Sequence, residues 1–82
     1  MKVRIPGYTT LTGSPVTILK MMQDARMLDD LAGDDLIQEI RSTAWRAFGI
    51  SLQVSGGTYA ERAESLLREM DKNSMIEIKE EE

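Results

Sequence analysis

Residues 55–79, SGGTYAERAESLLREMDKNSMIEIK, hold a helix start, an amphipathic helix, a helix stop and a short strand in immediate succession. Thr58 and Glu61 stand in the T-x-x-E spacing of a capping box. There the Thr hydroxyl accepts from the Glu61 amide, and the Glu carboxylate accepts from the Thr58 amide. Tyr59, Ala63, Leu66, Leu67 and Met70 then recur at helical spacing, with Ala60 at the edge of the same stripe, so one face of this helix is predicted to be buried. Burial of Leu66, Leu67 and Met70 is worth about 2 kcal/mol each before entropy is counted. On the outer face Glu64 precedes Arg68 by four residues, the favourable order for an ion pair. The helix is predicted to stop near Lys72, with Asn73 as a left-handed residue beyond it and Met75 folding back on the last turn. Ile76 and Ile78 alternate with Glu77 and Lys79, which reads as a strand with one buried face.

Immediately upstream, Ile50, Leu52 and Val54 alternate with Ser51, Gln53 and Ser55, again the pattern of a half-buried strand. Strand, helix and strand together predict a C-terminal βαβ unit, with parallel strands and a right-handed crossover. Before it, Asp34 or Asp35 is predicted to cap a helix whose inner face carries Ile37, Ile40, Ala44 and Phe48, with Leu36 and Trp45 at its margins. Gly49 ends that helix, and Ile50 closes the end hydrophobically. Further upstream, Ser14 and Pro15 announce another helix as N-cap and first residue, with Ile18, Leu19, Met22 and Ala25 on its buried stripe. Met21 and Met27 widen the stripe into a methionine-rich face that suits a core and can also adapt to a partner. At the N-terminal end, residues 2–5 and 8–12 read as strands around a Pro6-Gly7 type II turn, joined with a bulge or a bend. The element order is therefore β-β-α-α-β-α-β. It predicts an α+β two-layer sandwich with a small mixed sheet covered by helices.

Length and composition set the expectations for organisation. Eighty-two residues suit one small α+β domain over residues 1–79, with a disordered acidic tail at residues 80–82. The chain has no cysteine and no histidine, which removes thiol chemistry, the commonest general base and the commonest transition-metal ligand. No apolar run approaches the length of a membrane span and no signal-peptide core is present, so a cytoplasmic location is expected. Three of the fourteen acids are Glu80, Glu81 and Glu82, so the rest of the chain holds eleven acids against ten bases. Within it the charges are uneven. Lys2, Arg4, Lys20 and Arg26 face Asp24 alone in residues 1–26, whereas residues 27–35 hold Asp29, Asp30, Asp34 and Asp35 and no base. The plain reading is a solvated surface, but such asymmetry also orients a partner or a second copy.

Few residues suggest chemistry. The run DDLAGDD gathers four carboxylates without the spacing of a calcium loop, and helix capping accounts for them. Ser55-Gly56-Gly57-Thr58 leads into a helix N-terminus but lacks a P-loop lysine and the glycine spacing of a dinucleotide site. No catalytic, metal-ligating or cofactor-binding residue is assigned, and no enzyme activity or cofactor is expected. Trp45 is read as partly covering the edge of the core. Beside Arg41 and Arg46 it is also a candidate contact for a partner, since Trp and Arg are over-represented in such roles. The candidate partner-binding residues are therefore Met21, Met22, Met27, Arg41, Trp45 and Arg46.

The run SLLREMDKNSMIEI, residues 65–78, resembles the passage from recognition helix to wing in a winged-helix DNA-binding domain. The chain departs from that pattern in the strand predicted before the helix, and in Glu61, Glu64 and Glu69, which would repel phosphate. No DNA-contact residue is carried over. The expectation is a small non-catalytic module that binds a protein partner or forms a homodimer. The alternative is a nucleic-acid-binding regulator that uses the basic N-terminal quarter.

Overall fold

The alternation of residues 2–5 and the Pro6-Gly7 turn produce an N-terminal hairpin of β1 (Lys2–Arg4) and β2 (Thr10–Thr12). The Tyr8 amide donates to the Ile5 carbonyl at 3.0 Å, with Gly7 at φ 76° in the third position of the turn. This is the type II geometry that Pro followed by Gly favours. In the computed structural model, which describes residues 1–25 and 33–79 (side chains 1–23 and 33–79), four further elements follow. They are α1 (Pro15–Ala25), α2 (Asp34–Phe48), α3 (Tyr59–Lys72) and β3 (Glu77–Ile78). The fold is α+β, as the sequence predicts.

The sheet differs from the prediction. Its order is β2-β1-β3 and both pairings are antiparallel, so it is not mixed and contains no βαβ unit. Residues 50–55 keep their period-two burial but form no ladder, and β3 lies beside β1 instead of beside them. The reason lies in the amides of this segment. Gln53 and Ser55 donate to the side chains of Glu69 and Ser65 on α3, at 3.4 and 3.0 Å, instead of to a neighbouring strand. In the sheet, Val3 sits between Leu11 and Ile78 on the inner face. Arg4 pairs with Glu77 across the outer face at 3.1 Å. Hydrogen bonds from Lys79 and then from Arg4 hold the Glu77 carboxyl below its ordinary range.

Helices α1 and α3 pack on each other and against the sheet, and α2 packs on α3. The core is continuous through Val3, Ile18, Leu19, Leu52, Leu66 and Leu67, with Leu36, Ile37 and Ala44 added from α2. Ser14 caps α1 by accepting from the Thr17 amide at 3.2 Å. Ala25, predicted on the same stripe, has its side chain outside the described residues.

The predicted capping box of α3 is present in both directions, Glu61 amide to Thr58 hydroxyl at 3.2 Å and Thr58 amide to Glu61 carboxylate at 3.1 Å. Gly56, at φ 136°, makes this entry possible, because a Cβ there would lie 2.7 Å from the Glu61 Cβ. Helix α2 is entered differently from the prediction. Its N-cap is Gly33 with no side-chain cap, while Asp34 and Asp35 fall in the first turn. The Asp34 carboxylate is engaged elsewhere, in a bidentate pair with Arg62 at 2.8 and 3.1 Å that ties the first turns of α2 and α3 together. Partial burial and then this Asp34 carboxylate push the Tyr59 phenol above its ordinary pKa.

The end of α3 also moves by one residue. Asn73 has φ −95°, and the left-handed residue is Ser74 at φ 61°. The Met75 amide donates to the Met70 carbonyl at 2.9 Å and the Ser74 amide to the Asp71 carbonyl at 3.0 Å, the two bonds of a Schellman cap. A left-handed conformation is unfavourable for serine and costs glycine nothing. Ser74→Gly is therefore expected to raise stability by about 0.5–1 kcal/mol, net of the extra freedom glycine gives the unfolded chain. The check is an upward shift of the urea midpoint at unchanged slope. A midpoint that stays or falls would mean that the cap is not formed this way.

Candidate functional site

Helix α2 fixes the site. Its buried stripe of Leu36, Ile37 and Ala44 turns inward, which sends Gln38, Trp45 and Arg46 outward. Trp45 keeps 63% of its surface exposed, so it covers the edge of the core at most in part. Phe48, predicted to be internal, is 66% exposed. Three residues apart on one helix, the two rings project from the same side of α2. Among the described residues the exposed large hydrophobics are Tyr8, Val16, Trp45 and Phe48, whereas Ile18, Leu19, Leu52, Leu66 and Leu67 have at most 1% of their surface exposed.

Beside Trp45 lies an open groove of about 710 Å³, lined on one wall by Arg41, Trp45 and Arg46 of α2 and on the other by Ser51 and Leu52. The two arginines are held in place. Arg41 donates from Nε to the Leu52 carbonyl at 2.9 Å and from a terminal nitrogen to Gln38 Oε1 at 3.3 Å. Arg46 donates to the Ser42 carbonyl at 3.3 Å and pairs with Glu39 at 3.5 Å. One carboxylate thus stands against two guanidinium groups, leaving the groove with an excess positive charge beside an indole face. Such a surface binds anionic and apolar groups together.

The structure brings Arg41, Trp45 and Arg46 together as the sequence suggested. It does not add the methionines to them. Met22 is buried and Met21 half-buried against the core, because both lie on the side of α1 that packs on α3 and the sheet. Their methionine face is core rather than docking surface. Met27 lies outside the described residues. A second cleft of about 350 Å³ runs past Phe48, Met70 and Met75 to Ile5 and Pro6. Phe48 was missed as a surface residue because its spacing aligns it with Ile37 and Ala44, whereas every residue from Trp45 to Phe48 is exposed.

No protein-family model, no curated protein sequence and no solved structure matches the chain.

The remaining candidates resolve locally. Asp34 of the acidic run faces Arg62, Asp29 and Asp30 lie outside the described residues, and no group of metal-ligating side chains occurs among the described ones. At the Gly56-Gly57 turn the amides of Thr58 and Glu61 are already taken by the capping box. Of the basic N-terminal quarter, Arg4 is paired with Glu77, Lys2 also has a partner, and Lys20 is exposed on α1; Arg26 lies outside the described residues. After α3 the chain forms β3 alongside the N-terminal β1. No helix among the described residues is long and apolar enough to cross a membrane. The acidic residues 80–82 lie outside the description.

Proposed function

We propose that this protein is a small non-catalytic protein-binding or regulatory module whose docking surface is the α2 face around Trp45. The observation that carries this reading is the exposure of the chain's one tryptophan between two arginines, at the mouth of a groove. Tryptophan and arginine are the residues most often found to dominate binding energy at interfaces, and an exposed indole gives the monomer little stability in return. Fixing Arg41 and Arg46 to α2 and to the Leu52 carbonyl lowers the entropy lost when a partner docks.

Trp45→Ala is the direct test. A photo-crosslinker placed at the exposed Ser51 is expected to capture a discrete polypeptide from cells that make the protein, and a crosslinker at Lys20 on α1 is expected not to. Against that partner, once purified, Trp45→Ala is expected to weaken binding at least about tenfold while leaving stability within about 0.5 kcal/mol. Equal affinity of the variant would remove the α2 face from the interaction. Steeply salt-dependent DNA binding, weakened by Lys20→Ala and untouched by Trp45→Ala, would replace this reading by the nucleic-acid one.

A further inference from the structure

We infer that β2 is an open sheet edge that pairs with β2 of a second copy of the chain, antiparallel and centred on Leu11. This surface is separate from the α2 face and does not rest on it. The hairpin bonds fix which way the backbone of β2 points. The Thr9 carbonyl accepts from the Ile5 amide at 2.8 Å, and the Gly13 amide donates to the Met1 carbonyl at 3.0 Å. Leu11 lies between them opposite Val3, so the odd-numbered residues spend their backbone groups on β1. The amides and carbonyls of Thr10 and Thr12 point the other way, where β2 ends the sheet. Both residues are exposed, and among the described residues no turn, cap or side-chain hydrogen bond reaches either. The opposite edge of the sheet is closed. There the Lys79 amide donates to the Lys2 carbonyl of β1, so the Ile78 amide faces away, and the Asp71 carboxylate of α3 takes it at 3.3 Å.

The free run is bounded at both ends, and that selects the occupant. The Tyr8 amide is already used by the Ile5 carbonyl at 3.0 Å, and the Ser14 carbonyl by the Ile18 amide at 2.9 Å. In the register centred on Leu11, Thr10 of each copy exchanges both backbone bonds with Thr12 of the other. Every free group on both edges is then satisfied. Sliding the pair by two residues would set Thr12 against the engaged Tyr8 amide, or Thr10 against the engaged Ser14 carbonyl.

The side chains fit the same two-fold. Thr10-Leu11-Thr12 reads alike in both directions, so threonine meets threonine on the outer face. Leu11, half-buried against the core, meets Leu11 of the other copy on the inner face. No charged residue lies between Arg4 and Lys20, so β2 lacks the charge or proline that usually keeps sheet edges apart. The register also carries Tyr8, 62% exposed, to the Ser14 end of the other copy, where its ring gains cover. A strand of three residues makes a small interface, so the association is weak and depends on concentration.

The test follows the whole chain by sedimentation and amide exchange from micromolar to millimolar concentration. A dimer is expected at the upper end, with exchange at Thr10 and Thr12 slowing as the dimer fraction rises and exchange at Leu52 and Val54 unchanged. Thr10→Pro removes an outward amide and no ladder bond, so it is expected to abolish the dimer at a urea midpoint near the parent's. Two double variants probe the register. Thr10→Glu with Thr12→Glu sets like charges in both cross-strand pairs and is expected to leave a monomer. Thr10→Glu with Thr12→Lys sets opposite charges there and is expected to restore the dimer. A monomer at every concentration would overturn the proposal. A dimer that Thr10→Pro leaves intact and Trp45→Ala dissolves would also overturn it, by moving the contact to the α2 face. Equal association of the two double variants would overturn the pairing of Thr10 with Thr12.

Discussion

Leu67→Asp is expected to leave the chain unfolded at room temperature. Leu67 has no exposed surface and sits on α3, the helix that contacts α1, α2 and β3. The substitution removes a buried leucine, worth about 2–5 kcal/mol as a truncation. It also leaves a carboxyl in a core whose buried members, among the described residues, are hydrophobic apart from Gln23, at a cost of several kcal/mol more whether the group ionises or takes a proton. A chain of this length has a total stability of about 4–12 kcal/mol on the usual per-residue scale, so the loss is comparable to everything available. Far-ultraviolet circular dichroism and an amide-resolved NMR spectrum decide it. Ala60→Asp, on the exposed first turn of the same helix where a carboxylate suits the dipole, is the control expected to melt near the parent. A native spectrum for Leu67→Asp would show that α3 turns a different face inward.

Most of α3 is legible in the sequence because each of its signals is local. The capping box needs only Thr58 and Glu61, and the stripe from Ala63 to Met70 needs only the helical period. The same holds for Ser14 before α1, for Gly49 at φ 67° after α2, and for the Pro6-Gly7 turn. Signals that depend on a distant partner are the ones misread. Asp34 looks like a cap until Arg62, 28 residues away, claims its carboxylate. Residues 50–55 have the burial period of a strand, but a period does not name the group that receives the amides, and here side chains of α3 do. Strand β3 was placed correctly along the chain and wrongly in the sheet, since alternation alone does not choose between β1 and the 50–55 segment as its neighbour.

The candidate site divides along the same line. Trp45 with Arg41 and Arg46 could be picked out because they lie within six residues on one helix. The opposite wall could not, because Ser51 and Leu52 meet α2 only after Gly49 reverses the chain. The methionines of α1 were drawn into the site by composition. Their burial follows from which side of α1 meets α3, and a hydrophobic stripe on its own does not distinguish a core from a docking face.

Leu52→Ala is the second large effect expected, a loss of about 2–5 kcal/mol. Leu52 is among the most fully buried side chains, although its segment belongs to no sheet. A residue in a paired strand shares its position with a ladder of backbone bonds. Leu52 has no such support, and the segment is held by its side chain, by Arg41 and by two amide bonds to α3. Truncation should therefore act in two stages. Amide exchange at Gln53 and Ser55 should accelerate through local opening under conditions where α1 and α3 remain protected, and the global urea midpoint should fall as the cavity term appears. Gln53→Ala, on the exposed side of the same segment, should stay within about 0.5 kcal/mol of the parent. The same opening would dismantle one wall of the groove, so Leu52→Ala should also weaken any ligand that Trp45→Ala weakens. If Leu52→Ala cost no more than Gln53→Ala, the segment would not be anchored by its side chain, and the groove wall at Ser51 and Leu52 would have to be held by another contact.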